Sequence, residues 1–406
     1  MIGTRVLTRA VALLAVTVTA TATAASSPAT AAPAATTATA TGSAPVRLVV
    51  PEPSGPHRIG TVSLHLVDAA RKDPWVTSKP ERELMVSLWY PARDVDRYPL
   101  APWMPKAAAA RYLQDAGVPS GKVLLGDTHA HEGAPVDRRA GRLPVVLYSP
   151  GANASRSFGT GVVEELASRG YLVVTIDHTY DAAAVQFPGD RVEVNPEGEV
   201  TDFEKAVKVR TEDTRFVLDQ VTAIAAGRNP DAEHGTLPRG LSGAPDLKRI
   251  GMFGHSLGGA TVSSAMFADR RIKAGMGLDG AVLGPVAEAG LDRPYLVVDT
   301  PGKGGMANNP ALRKFWSHLR GWRLHLTLKG AAHNSFGDDA QLVPLVAPFL
   351  GMSPEQVQES VGTIPTARAL AFQRAYPLAF FDLHLRGRGH LLDGPSARFP
   401  EVAYDR

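Results

Sequence analysis

The sequence predicts an α/β protein: a mainly parallel sheet covered by helices on both faces. Three observations carry this. Residues 143–148 (LPVVLY) and 171–176 (YLVVTI) are unbroken apolar runs. A strand buried on both faces reads in that way, whereas a strand with one wet face alternates. Such runs also alternate with helix-like stretches, the pattern of β–α–β units. Finally, residues 254–258 read Gly-His-Ser-Leu-Gly, with an apolar run at 250–253 before them and a helix-like run at 260–268 after. A G-x-S-x-G placed between strand and helix forces its serine onto a sharp turn, with the hydroxyl projecting into open space. Gly254 and Gly258 let strand and helix pass closely. The first amides of the helix have no partner within it and are available to an anion.

Taken in order, residues 46–50 and 60–67 read as strands. Val62, Leu64 and Leu66 alternate with Ser63 and His65, so one face of the second strand is wet. Residues 84–90 form another strand, stopped by Pro91. The stretch 99–141 is rich in Pro, Ala and Gly and has room for one short helix. It reads either as a lid over a site or as a packed surface excursion. The run 143–148 leads into Ser149-Pro150-Gly151-Ala152-Asn153. A helix over 158–168 closes at Gly170, and the run 171–176 leads into Asp177-His178. Residues 181–200 read as a long loop. Phe203, Val207, Val217, Val221 and Ile224 recur near helical spacing, so 203–226 is a long helix ended by Gly227 and Pro230. Short strands follow the serine turn at 272–278, 295–298 and 323–328, the first two leading into Asp279 and Asp299, the last into Gly330 and His333. A last helix covers 364–386, bent at Pro377. There is no internal repeat, and 46–406 reads as one domain.

Composition bounds the function. Of 406 residues, 44% are hydrophobic and 20% charged, which is enough for a large core. The net charge of +3 comes without a Lys/Arg block, so nucleic-acid binding has no support. Transient contact with an anionic lipid surface stays open, and nothing points to an obligate protein partner. With no cysteine, disulfides, thiolate metal sites and a cysteine nucleophile are excluded. Arg5 and Arg9, the short apolar run 10–20 and Ala29-Thr30-Ala31 read as a signal peptide over 1–31. Ala22-Thr23-Ala24 is a second cleavage candidate, and the Ala/Thr/Pro-rich residues 32–45 read as a flexible leader. The chain is therefore expected to be secreted.

A serine nucleophile needs a base within hydrogen-bond reach, and the base needs an orienting carboxylate. Twelve histidines compete for the first role. His255 adjoins the serine but points elsewhere on the turn. His57, His65 and His234 lie before or between core elements, His325 lies within a strand, and His384 and His390 lie in or after the final helix. His333 stands alone on a loop after the last predicted sheet strand. Ser256, Asp279 and His333 occur in the order found in hydrolase folds. Asp299 rivals Asp279, since both end a short strand after the serine. His129-Ala130-His131 with Glu132 has some metal-ligand character but no fourth ligand in view, so no metal or cofactor is expected.

These residues meet a family. Residues 83–91 (ELMVSLWYP), 145–151 (VVLYSPG), 254–259 (GHSLGG), 278–280 (LDG) and 330–338 (GAAHNSFGD) resemble the plasma-type platelet-activating-factor acetylhydrolases and their bacterial lipase and polyester-hydrolase relatives. The resemblance implies an α/β-hydrolase fold. It also implies a catalytic Ser256, Asp279 and His333, and an oxyanion hole from the amides of Leu257 and Ala152. Many relatives carry His-Gly where this chain has Pro150-Gly151, which puts the geometry at Ala152 in question. In polyester-hydrolase relatives the acid follows the later strand, at Asp299. The implied function is an exported serine ester hydrolase acting on a small-molecule or lipid ester. Alternatives are a polyester hydrolase, a peptidase or lactonase on the same residues, and a non-catalytic binding protein on the fold.

Overall fold

The protein is described from a computed structural model covering residues 44–302 and 305–405. The signal segment expected at 1–31 and the leader as far as 43 lie outside these residues. Eleven strands form one sheet: β1 (Arg58–Asp68), β2 (Arg82–Ala92), β3 (Leu100–Pro102), β4 (Asp127–Glu132), β5 (Leu143–Ser149), β6 (Leu172–Asp177), β7 (Pro245–His255), β8 (Ile272–Leu278), β9 (Tyr295–Asp299), β10 (Arg323–Leu328) and β11 (Val402–Asp405). Their spatial order is β11-β10-β9-β8-β7-β5-β6-β2-β1-β4-β3. From β10 to β6 every neighbour is parallel. An antiparallel β1–β2 pair flanks one side and β11 closes the other.

Eight helices matter here: α1 (Lys106–Asp115), α2 (Thr160–Ser168), α3 (Phe203–Ala225), α4 (Leu257–Ala268), α5 (Pro310–His318), α6 (Asp339–Leu350), α7 (Pro354–Val361) and α8 (Thr366–Arg386). Sequence-local signals set their ends. Asp202 accepts from the Lys205 amide at the start of α3, and Ser353 with Gln356 forms a capping box on α7. The apolar runs explain the layering. All seven residues of β5 are buried. Val145 and Leu147 belong to one apolar cluster with residues of α3, α4 and α5, while Val146 and Tyr148 belong to another with residues of α2 and α8. Each such side chain, fully buried, contributes about 1.5–3 kcal/mol. The fold is the α/β-hydrolase fold expected.

Several elements differ from expectation. The strand at 84–90 continues through Pro91 to Ala92. Beyond Trp89 it has no ladder to β6, so a residue lacking an N–H is tolerated there. The stretch 99–141 holds α1 and also β3 and β4, both paired into the sheet. Its Trp103 is buried and donates to Asp338, 2.7 Å away, just past the His333 loop. Within 181–200, residues Ala184–Gln186 and Val192–Val194 form a small antiparallel hairpin. At the start of the described chain only Val46–Arg47 is a strand, paired with Val123–Leu124.

Candidate active site

β7 ends at His255 and α4 begins at Leu257, so Ser256 is the whole connection between them. It sits at φ 56° and ψ −121°, outside the regions a side chain prefers. Such a conformation costs on the order of 1–3 kcal/mol and persists only where its surroundings enforce it. Here the enforcement is contact and pairing. The Ser256 amide donates to the Leu278 carbonyl on the next strand. A Cβ at Gly254 would lie 2.4 Å from the Gly258 carbonyl carbon, and one at Gly258 would lie 1.9 Å from the Ser149 carbonyl oxygen. No larger residue fits at either place, which is why strand and helix can approach so closely.

His333 opens a short 3₁₀ turn after β10. Its Nε2 lies 2.9 Å from Ser256 Oγ, and its Nδ1 lies 2.6 Å from Asp279 Oδ2. Asp279 follows β8, and the chain turns on the aspartate itself, at φ 45°. Gly280 serves a different need: a Cβ there would lie 2.8 Å from Gly259 Cα and from the Ser256 carbonyl oxygen. The second carboxylate oxygen of Asp279 accepts from the Thr300 amide and hydroxyl. Burial pushes this carboxyl up, but the hydrogen bond and charge of His333 outweigh it, and Asp279 titrates below its ordinary value. It is thus ionised at neutral pH. The His333 side chain is 40% exposed and so reaches solvent.

Asp299 lies elsewhere. It bonds His325 Nε2 at 2.8 Å, the Thr327 hydroxyl and the Met306 amide. His255 has a place that its sequence position does not reveal. Its Nε2–H donates to the His333 backbone carbonyl at 2.8 Å, with the two rings 4.7 Å apart. Burial, reinforced by the neighbouring His333, holds its pKa down at about 3, so it is neutral. The turn is fastened from behind too. Gln373 on α8 donates to the carbonyls of Ser335 and Gly337, and Ser335 donates to Val361.

The loop after β5 lies beside the serine. A Cβ on Gly151 would be 3.5 Å from Ser256 Cβ. Ala152 packs in one small apolar cluster with Leu257 and Ala260. Among the described residues no hydrogen bond engages the amides of Ala152 or Leu257. Just before this loop lies a second set of the same residue types. Ser149 Oγ is 3.0 Å from His178 Nε2, and His178 Nδ1 is 3.0 Å from Asp213 Oδ2. All three are buried, and burial holds His178 below its ordinary pKa. Substrate has no access to them. His129 and His131, on β4, are also engaged, with Glu164 and with Tyr98 and Arg58 respectively. Among the described residues no cluster of three metal-ligating side chains occurs.

Residues 45–382 match the family model "Platelet-activating factor acetylhydrolase, isoform II". A probable 1-alkyl-2-acetylglycerophosphocholine esterase of the fungus Arthroderma benhamiae is 30% identical, over 89% of this chain and 95% of that protein. The platelet-activating factor acetylhydrolase of Cavia porcellus is 22% identical, over 71% of this chain and 69% of its own length. The solved structure of a ferulic acid esterase from Streptomyces cinnamoneus superposes with a TM-score of 0.74. It is 38% identical and covers 89% of this chain and all of its own. The chain therefore belongs to the platelet-activating factor acetylhydrolase isoform II family and is an ester hydrolase.

Proposed function

We propose that this enzyme is an exported serine carboxylic-ester hydrolase in which Ser256, His333 and Asp279 act through an acyl-enzyme. The observation that carries the reading is the hydrogen-bonded line from Ser256 Oγ to Asp279 at the tip of a strained strand–helix turn. His333 takes the proton of Ser256 as the oxygen attacks the ester carbonyl. Asp279 holds the imidazole in the tautomer that accepts at Nε2 and stabilises its charged form. The amides of Leu257 and Ala152 receive the developing oxyanion. His333 then delivers the proton to the leaving alcohol, and the same residues run in reverse with water. Support for a small or lipid ester comes from the esterase and acetylhydrolase relatives, and the exposure of the His333 side chain suits a substrate arriving from solvent.

Ser256→Ala is expected to lower ester hydrolysis by several orders of magnitude with circular dichroism unchanged. Activity surviving in that purified variant would place the nucleophile elsewhere. A second substrate reading rests on the 38% identity to the ferulic acid esterase. Assaying p-nitrophenyl esters of rising chain length beside methyl ferulate and a short-chain acetylated phospholipid separates the two. The substrate with the highest kcat/KM assigns the class.

A further inference from the structure

Arg210 is the least explained charge near the site. It lies on α3, is fully buried, and points at the back of the loop after β5. Its guanidinium forks onto Asp181, Nε to Oδ2 at 2.7 Å and Nη2 to Oδ1 at 2.5 Å. The same guanidinium donates to two successive carbonyls, Pro150 O at 2.5 Å and Gly151 O at 2.9 Å. The second of these belongs to the peptide unit whose N–H is that of Ala152. In a trans peptide the carbonyl and the N–H point in opposite directions, and among the described residues no peptide is cis. A cation fixed on the Gly151 oxygen therefore aims the Ala152 N–H away from Arg210. A hydrogen bond accepted by a peptide oxygen also strengthens that peptide's N–H as a donor.

We propose that Arg210 is a positioning residue for the oxyanion hole: it fixes the Gly151–Ala152 peptide and polarises its N–H from behind. The inference rests on the serine-hydrolase reading given above. Arg210 anchors the loop through main-chain atoms alone, the carbonyls of Pro150 and Gly151. A buried Arg–Asp pair also costs desolvation that two carbonyl acceptors help to offset. Asp181 serves to hold the fork in plane. Gly258 lies close against the start of the loop, at the carbonyls of Ser149 and Pro150.

The test measures Arg210→Gln and Arg210→Lys, with active sites counted by burst titration so that misfolded enzyme does not enter kcat. Removing one oxyanion donor outright costs about 10²–10³ in kcat, so loss of its support is expected to cost about 10–100-fold. KM should hold within about threefold. A trifluoromethyl ketone, which forms a tetrahedral oxyanion on the serine, should lose affinity by the same factor as kcat/KM. Lysine reaches one carbonyl but cannot fork, so it should fall between wild type and glutamine on the same line. Should the glutamine variant not fold, the lysine variant alone decides. Ketone affinity unchanged in the titrated variants, or kcat within twofold of wild type, would overturn the inference. A phosphonate that labels a residue other than Ser256 would instead overturn the reading beneath it, and the inference with it.

Discussion

At the residue scale the question left by the sequence was which aspartate serves His333. Asp279 is the one within hydrogen-bond distance, at 2.6 Å, while Asp299 is committed to His325 and Thr327. Asp279→Asn is expected to lower kcat by about 10³–10⁴, since an amide no longer enforces the accepting tautomer. Asp299→Asn should cost at most about tenfold. Steady-state kinetics on both variants, equally folded by circular dichroism, checks the ranking, and the reverse order would move the acid to β9. A second residue-scale outcome concerns stability. His384 on α8 is packed against Trp322 and Phe380, and its Nε2 has no hydrogen-bond partner. Burial holds its pKa down at about 4 against an ordinary 6.5. The unfolded chain therefore takes up a proton below about 6.5 that the fold refuses until about 4, and stability drains away as pH falls through that window. In thermal unfolding the Tm advantage of His384→Phe over wild type should grow from pH 7 to pH 5. A difference that does not change with pH would show His384 to be solvated.

At the element scale much was legible. The runs 143–148 and 171–176 read as buried strands because both their faces are covered, and they are β5 and β6. The glycine spacing around Ser256 announced the β7–α4 turn. What stayed hidden was non-local. β3 and β4 are three and six residues long and carry too little periodicity to reveal that they add to the sheet edge. His255 could not be seen gripping the His333 turn, because the two lie 78 positions apart and no local pattern links them. Nor could Arg210, one of many charged residues along α3, be told from its solvated neighbours. The glycine spacing itself can be tested. In Gly258→Ala the new Cβ would meet the carbonyls of Ser149 and Pro150, and backbone cannot swing aside as a flexible side chain would. Overpacking of this kind costs about 1–3 kcal/mol. Denaturant titration should show that loss, together with a fall in kcat as the loop after β5 is pushed outward. Wild-type stability and rate would mean that the turn is looser than these contacts require.

At the scale of the whole molecule, one sheet with two covered faces has to hold the fold without a single disulfide. If the protein is exported as its first residues imply, its stability outside the cell owes nothing to redox state. The secreted form should begin near Ala32 by N-terminal sequencing, and its Tm should be the same with and without a thiol reductant. Intact Met1 in culture supernatant would contradict export by a cleaved signal. Among the described residues no helix is long and apolar enough to cross a membrane.

Ser149, at the end of the strand beside the one that leads into Ser256, repeats with His178 and Asp213 the residue types and nearly the distances of the proposed Ser256, His333 and Asp279 set. A search that recognises enzymes by three side chains at fixed separations would retrieve this molecule twice. Only one of the two hits has a face turned to water. The chain thus carries its own decoy, and any automated assignment by geometric template has to weigh solvent access before it counts a catalytic centre.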